Sequence, residues 1–322
     1  MNDPDNFPVD FEELREWLTA MRATRGLSWP MLGRESGIPG STLSLISSGK
    51  YAGNKQQQAN RLYRYRQMLE SRDDMERTLP VKPDFIELPT AMKIEGCLRL
   101  AHQGKITIVG TGPGTCKTFT VKHYAASVSS CWVVTAEPAT KSLNGMLNQV
   151  ATALGLVAKG VWKRQLSAQI ADFFRGKPGL LVIDEANHLD YESVEQLRSW
   201  HDKMGVGICL LGNIELLQLI RSGGSRHAYA RLNSRLAMTF QCEVPLPGDV
   251  ELFLDAWNVE DPAMRDLLSR VALMPGSGGL REIDNYLEAA TMIATTDEVA
   301  LSLDHLREVK AMRHTSFIRE AA

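Results

Sequence analysis

The sequence predicts an α/β chain: a parallel sheet with covering helices, an all-α module before it and a small helical domain after it. Three observations carry this. Short apolar runs at 106–109, 132–135, 180–183, 207–211 and 238–244 are separated by stretches long enough for crossover helices. The first run leads into Gly110-Thr111-Gly112-Pro113-Gly114-Thr115-Cys116-Lys117-Thr118, a glycine-rich strand-to-helix turn closing on Lys-Thr. On either side of the sheet region, apolar residues return at helical spacing.

Residues 1–75 read as helices. Phe11, Leu14, Trp17, Leu18 and Met21 share one face of the first. Ser28-Trp29-Pro30 opens a second, which runs through Met31, Leu32 and Arg34 to Gly37. Ile38-Pro39-Gly40 is a turn, and Ser41 is expected to cap a short third helix carrying Leu43, Leu45 and Ile46 and ending at Gly49. Two short helices around a glycine-containing turn have the layout of a helix-turn-helix.

Charge sharpens that reading. From Ser36 to Leu69 there is no Asp or Glu, while Lys50, Lys55, Arg61, Arg64 and Arg66 are present. The run 61–66 interleaves cations with Leu62, Tyr63 and Tyr65. It equally suits a solvated basic face or a helix packed through Leu62, Tyr65 and Leu69; the helix-turn-helix upstream favours contact with double-stranded DNA. Ser41, Thr42 and Ser44 would then start a recognition helix near base edges. Lys50, Tyr51, Asn54 and Lys55 would sit near phosphates, with Arg61 and Arg64 adding charge.

Residues 76–90 hold Pro80, Pro83 and Pro89 in a polar stretch, the pattern of a linker. In the sheet domain, 91–245, the turn 112–118 has what a phosphate cradle needs. Glycine lets backbone N–H groups close on phosphate oxygens, Lys117 supplies positive charge, and the Thr118 hydroxyl can hold Mg²⁺. Gly112, Pro113, Gly114, Thr115 and Cys116 line the cradle. The pattern departs from G-x-x-x-x-G-K-[ST] at Thr111 and Cys116, where it asks for glycine; Cys116 is read as a small side chain tolerated beside phosphates.

The run 180–183 ends in Asp184-Glu185, and ligands of an open parallel sheet bind beyond the carboxyl ends of its strands. Asp184 would orient Mg²⁺ and Glu185 would polarise an attacking water. Asn213, closing another strand, would position that water or touch the γ-phosphate, although a plain strand-ending turn fits as well. Arg226, Arg231 and Arg235 precede the last strand. Arg231 and Arg235 are the expected candidates to reach a neighbouring subunit's γ-phosphate. Lys163 and Arg164 start a helix expected to reach Phe174. Cations there oppose the helix dipole, which points to DNA phosphate or to an exposed pair of small cost.

Residues 246–322 return to helix at 252–257, 264–273, 280–293 and 303–312, with Gly276-Ser277-Gly278-Gly279 breaking the pattern. Arg281, just beyond, would reach back to the phosphates.

Bulk properties narrow the class. A chain of 322 residues with 44% hydrophobic content builds about two domains with real cores. A net charge of −2 makes local asymmetry, not total charge, the guide to partners. Cysteines 97, 116, 131, 209 and 242 are scattered without a C-x-x-C pair, against a disulfide framework or zinc site. The polar start is no signal peptide, and no apolar run approaches the about 18 residues of a membrane span. A cytoplasmic protein without membrane contact is expected.

With these residues in order, the chain resembles the P-loop AAA+ ATPases, and among them the phage Mu transposition protein B family. The resemblance covers nearly the whole chain: the helix-turn-helix with Ser48-Gly49-Lys50-Tyr51-Ala52-Gly53, the loop 112–118, Asp184-Glu185, the sensor-like Asn213, the arginines before the last strand, and the lid with Gly279-Leu280-Arg281. It implies an ATPase using ATP and Mg²⁺ that binds DNA without sequence specificity, assembles with itself into filaments on target DNA, delivers that DNA to a transposase and stimulates transposition. Thr111 and Cys116 bear on the hydrolysis rate more than on nucleotide binding. The competing expectation is an ATP-gated helix-turn-helix transcription regulator.

Overall fold

The computed structural model describes residues 10–78, 85–222 and 229–313, and the chain divides into two compact units, 1–80 and 81–322. The first unit is helical. α1 (Phe11–Arg25) is opened by Asp10, whose carboxylate accepts the Glu12 N–H at 2.9 Å, and closed by left-handed Gly26. α2 (Trp29–Ser36) has Pro30 in its first turn. α3 (Gly40–Ser47) starts earlier than expected, with Pro39 as its N-cap, so Ser41 lies inside the helix and does not cap it. Packing is the cause: a Cβ on Gly40 would sit 2.6 Å from the Trp29 carbonyl oxygen, so glycine here lets the two short helices cross closely.

α4 (Lys55–Thr78) lays Leu62, Tyr65 and Leu69 against Leu14, Leu18, Leu32, Leu43 and Ile46. The buried Tyr65 hydroxyl donates to Glu35 at 2.8 Å. Both sequence readings of the run 61–66 therefore hold at once: one face of α4 is core, and Arg61 and Arg64 are exposed.

The stretch expected as a linker is divided. α4 reaches Thr78, residues 79–84 lie outside the described residues, and Phe85, Ile86 and Leu88 pack into the second unit. There follow α5 (Pro89–His102), β1 (Ile106–Thr111), α6 (Lys117–Ser127), β2 (Cys131–Thr135), α7 (Leu143–Ala153), α8 (Lys163–Phe174), β3 (Leu180–Asp184), α9 (Tyr191–Met204), β4 (Gly207–Gly212), α10 (Ile214–Ser222), α11 (Ala230–Asn233) and β5 (Leu236–Cys242). The strands form one parallel sheet in the order β2-β3-β4-β1-β5.

Both faces are covered, which is why the strands read as continuous apolar runs. Val109, Leu180, Val182, Cys209 and Leu211 turn toward α5 and α6, meeting Ile94, Leu98 and Val121. Ile106, Ile108, Leu181, Ile183, Ile208 and Leu210 turn the other way, toward α7 to α10. Alternation along each strand thus sorts one sequence into two cores. Each fully buried Leu or Ile contributes roughly 1.5–3 kcal/mol by burial.

The C-terminal helices expected to form a lid are α12 (Pro247–Ala256), α13 (Pro262–Ala272), α14 (Leu280–Thr296) and α15 (Leu303–Arg313), packed around Leu254, Leu268, Ile283, Tyr286, Leu287 and Leu306. Asp249 fastens them to the sheet domain. Its buried carboxylate accepts the Thr90 N–H at 2.8 Å, the Thr90 hydroxyl at 2.5 Å and the Leu246 N–H at 2.7 Å, tying the start of α5 to the start of α12. Among the described residues, no helix is long and apolar enough to cross a membrane.

Candidate functional site

β1 ends at the carboxyl edge of the sheet, and the chain from Gly112 to Cys116 folds over before α6 begins. The loop holds itself by side chains as well as backbone. Thr111 and Thr115 share a hydrogen bond at 2.6 Å, and the Thr115 hydroxyl donates to the Gly112 carbonyl at 2.9 Å. Thr111 is therefore a buried brace in place of the glycine the pattern asks for. Cys116 stands left-handed at φ 57°, a conformation costing a side-chain-bearing residue about 1–2 kcal/mol. The site keeps the geometry of the glycine it lacks. Burial pushes the Cys116 thiol up to about 11.

Lys117 donates from Nζ to the Thr111 carbonyl at 2.8 Å and the Gly112 carbonyl at 3.0 Å. Burial pushes its ammonium below the usual value, opposed by the Glu185 and Asp184 carboxylates. Thr118 Oγ1 donates to Asp184 Oδ2 at 2.7 Å, so the first turn of α6 and the end of β3 meet. Asp184 is only 2% exposed, and its other oxygen accepts the Glu185 N–H at 3.0 Å. Glu185 is left-handed at φ 54°, a second strained residue at the same place. A hydroxyl and a carboxylate converging on one point suit Mg²⁺, which takes oxygen ligands and retains water and phosphate oxygens around them.

Asn213 caps α10, its side-chain oxygen accepting the Leu216 N–H at 3.2 Å while its amide donates to Glu215 at 3.2 Å. Its own N–H donates to Asn187 at 3.3 Å, which connects it to the turn after Glu185. Asn187 was not singled out by the sequence, where it is one polar residue among several.

A cavity of about 760 Å³ gathers these parts: Lys117, Thr118, Glu185, Asn213 and Arg281 line it together with the apolar side chains of Phe85, Ile86, Phe253 and Trp257. Phe85 stacks on His123, at 3.7 Å between ring centroids, and on Phe119, at 5.6 Å. Charged and polar groups beside apolar ones are what phosphates and a base require. The apolar wall is absent from the sequence reading, although two consecutive apolar residues, Phe85-Ile86, inside a polar proline-rich stretch were a signal for it.

The other expected residues fall elsewhere. Arg231 in α11 and Arg235 just before β5 lie at the amino edge of the sheet, since Leu236 pairs with Ile106. The length of β1, roughly 20 Å, separates them from the loop 112–118. Arg235 is engaged by Asp202 through Nε at 2.9 Å. Arg231 is exposed, and no ion pair to it is found among the described residues. Arg226 lies outside the described residues. In the first unit, Ser41 is exposed, Thr42 and Ser44 are half-buried, and Lys50, Lys55, Arg61 and Arg64 are exposed. Arg66 is instead held by Glu13 and Glu70. Lys163 and Arg164 are exposed in the first turn of α8.

Comparison with known proteins agrees with this geometry. Residues 99–220 match the AAA domain model, and residues 234–313 match the model of the Mu B transposition protein C terminal. The Mu-like prophage FluMu DNA transposition protein B of Haemophilus influenzae is 33% identical over 78% of this chain and 86% of its own. The chain belongs to the Mu transposition protein B family. The ATP-dependent target DNA activator B of Escherichia phage Mu is 27% identical over 93% of this chain and 95% of its own. As a member of this family the chain is an AAA ATPase, with the loop 112–118, Asp184-Glu185 and Asn213 inside the AAA match and Arg281 inside the C-terminal one.

Proposed function

We propose that this family member is an ATP- and Mg²⁺-dependent protein that assembles with itself along double-stranded DNA, without sequence specificity, and delivers that target to a transposase in the bacterial cytoplasm. The organisation is an N-terminal DNA-binding module, an ATPase and a lid. One observation carries the reading: Lys117, Thr118, Glu185 and Arg281 line a single cavity, and Asp184 is bonded to Thr118 at its wall.

Each residue then has a task. Gly112, Pro113, Gly114, Thr115 and Cys116 wrap the phosphates, and Lys117 exchanges loop carbonyls for phosphate oxygens. Thr118 and Asp184 hold Mg²⁺, which supplies charge neutralisation at the phosphates. Glu185 accepts a proton from the attacking water, Asn213 orients it, and Arg281 reports the γ-phosphate to the lid. Arg231 acts on a neighbouring subunit's nucleotide, because its own lies at the far edge of the sheet; Arg235, committed to Asp202, supports it. A site completed by a neighbour makes assembly depend on nucleotide.

The first unit supports contact with DNA that ignores sequence. α3 carries no Arg, Lys, Asn, Gln, Asp or Glu, the side chains that read base edges in pairs of hydrogen bonds. Ser41, Thr42 and Ser44 can approach the duplex, and Lys50, Lys55, Arg61 and Arg64 attract phosphates, as do Lys163 and Arg164 in the second unit. The test is footprinting on unrelated duplexes with and without ATP. Uniform, ATP-dependent protection is expected. Protection confined to one short sequence would favour a transcription regulator instead.

A further inference from the structure

The crossover between β2 and β3 carries a surface that ATP chemistry does not use. Between α7 and α8, Leu156, Ala158 and Val161 pack against the sheet core, while Val157, Lys159 and Trp162 face outward. Val157 is 76% exposed and Trp162 is 83% exposed. Lys163 and Arg164 follow directly, both exposed. Among the described residues no ion pair engages Lys159, Lys163 or Arg164, and no Asp or Glu occurs from residue 138 to residue 171. A large aromatic side chain this open is uncommon on a protein surface, and its setting is cationic.

We propose that Trp162 wedges its indole into a base step of bound duplex DNA while Lys159, Lys163 and Arg164 hold the flanking phosphates. This rests on the DNA-binding reading above and adds a distinct contact to it. The cations account for attraction that depends on salt and not on sequence. The indole adds a contact that is also indifferent to sequence, because every base offers a π-face. Wedging unstacks and bends the duplex. The three inward residues fix the loop before DNA arrives, so little conformational entropy is lost on contact.

The experiment uses the full chain with ATP and a duplex carrying 2-aminopurine, over a salt series. The wild-type protein should raise 2-aminopurine fluorescence on binding. Trp162→Ala should weaken binding on the order of 10-fold and lose the fluorescence rise, with the salt slope kept. Trp162→Phe should retain most of both. Lys163→Ala with Arg164→Ala should instead flatten the salt slope, by about one per charge removed. Melting curves check that the variants are folded. Wild-type affinity and fluorescence in Trp162→Ala would overturn the wedge and leave the DNA reading standing. Failure of the wild-type protein to bind duplex DNA in any nucleotide state would remove both. Trp162-dependent binding to phosphatidylglycerol vesicles, with no Trp162 effect on DNA, would assign the surface to lipid and overturn the proposal.

Discussion

The Gly114 carbonyl oxygen accepts the Leu280 N–H at 3.0 Å, so the loop 112–116 caps the first turn of α14. The approach is close because Gly114 is left-handed, at φ 64°, and has no Cβ; one placed there would lie 1.7 Å from the Gly278 carbonyl oxygen. Arg281 follows Leu280 directly, so this contact also places Arg281 in the wall of the cavity. Gly114→Ala should therefore separate lid from loop and reduce ATP hydrolysis by more than about 10-fold, while the sheet remains folded by circular dichroism. Unaltered hydrolysis would contradict the coupling.

The Thr118–Asp184 contact predicts a shared function. Thr118→Ala and Asp184→Asn should each reduce hydrolysis by roughly 10²-fold or more and raise the Mg²⁺ concentration needed for half-maximal rate. The double variant should fall little further, because both groups act on the same ion. Steady-state rates over a Mg²⁺ series decide it; fully multiplicative losses would mean separate roles.

How much of this was legible in the sequence depends on how local each feature is. The three inner strands, β1, β3 and β4, lie where their apolar runs do, because both faces are buried. β5 starts two residues before its expected position. It is an edge strand with exposed Ala237 and Met238, so its pattern is weak. Lys117, Thr118, Asp184 and Glu185 were legible because strand ends in a parallel sheet share one edge. The apolar wall was not, since Phe85, Phe253 and Trp257 come from distant segments. Nor was the contrast between Arg231 and Arg235, which rests on Asp202, a residue on another helix.

That contrast gives a third prediction. Arg231→Ala should leave the melting temperature unchanged and reduce hydrolysis by roughly 10³-fold. Mixing it with Lys117→Ala subunits should restore part of the rate, because some interfaces would then combine an intact loop with an intact arginine. Arg235→Ala should mainly disturb the exposed pair with Asp202, by no more than about 1 kcal/mol. No rescue in the mixture would place Arg231 outside the site.

Thiol chemistry supplies a pH-dependent test. Burial pushes Cys97, Cys116 and Cys131 up to about 11, from an ordinary 9.0. In the unfolded chain these thiols ionise first, so the stability they contribute is complete below pH 9 and is lost as pH rises through 11. Alkylation of native Cys116 at pH 8 should be on the order of 100-fold slower than in denatured protein. Nucleotide should slow it further. Mass spectrometry of labelled peptides reads both effects, and rapid labelling of native Cys116 would show that the loop is open.

The central claim is that nucleotide held at Lys117 drives assembly on DNA. Electron microscopy of the wild-type chain with a long duplex of arbitrary sequence tests it most directly, with ATP, without ATP and in the Lys117→Ala variant. The account predicts regular filaments only for the wild-type chain with ATP. Filaments without nucleotide, or equally abundant filaments from Lys117→Ala, would contradict it.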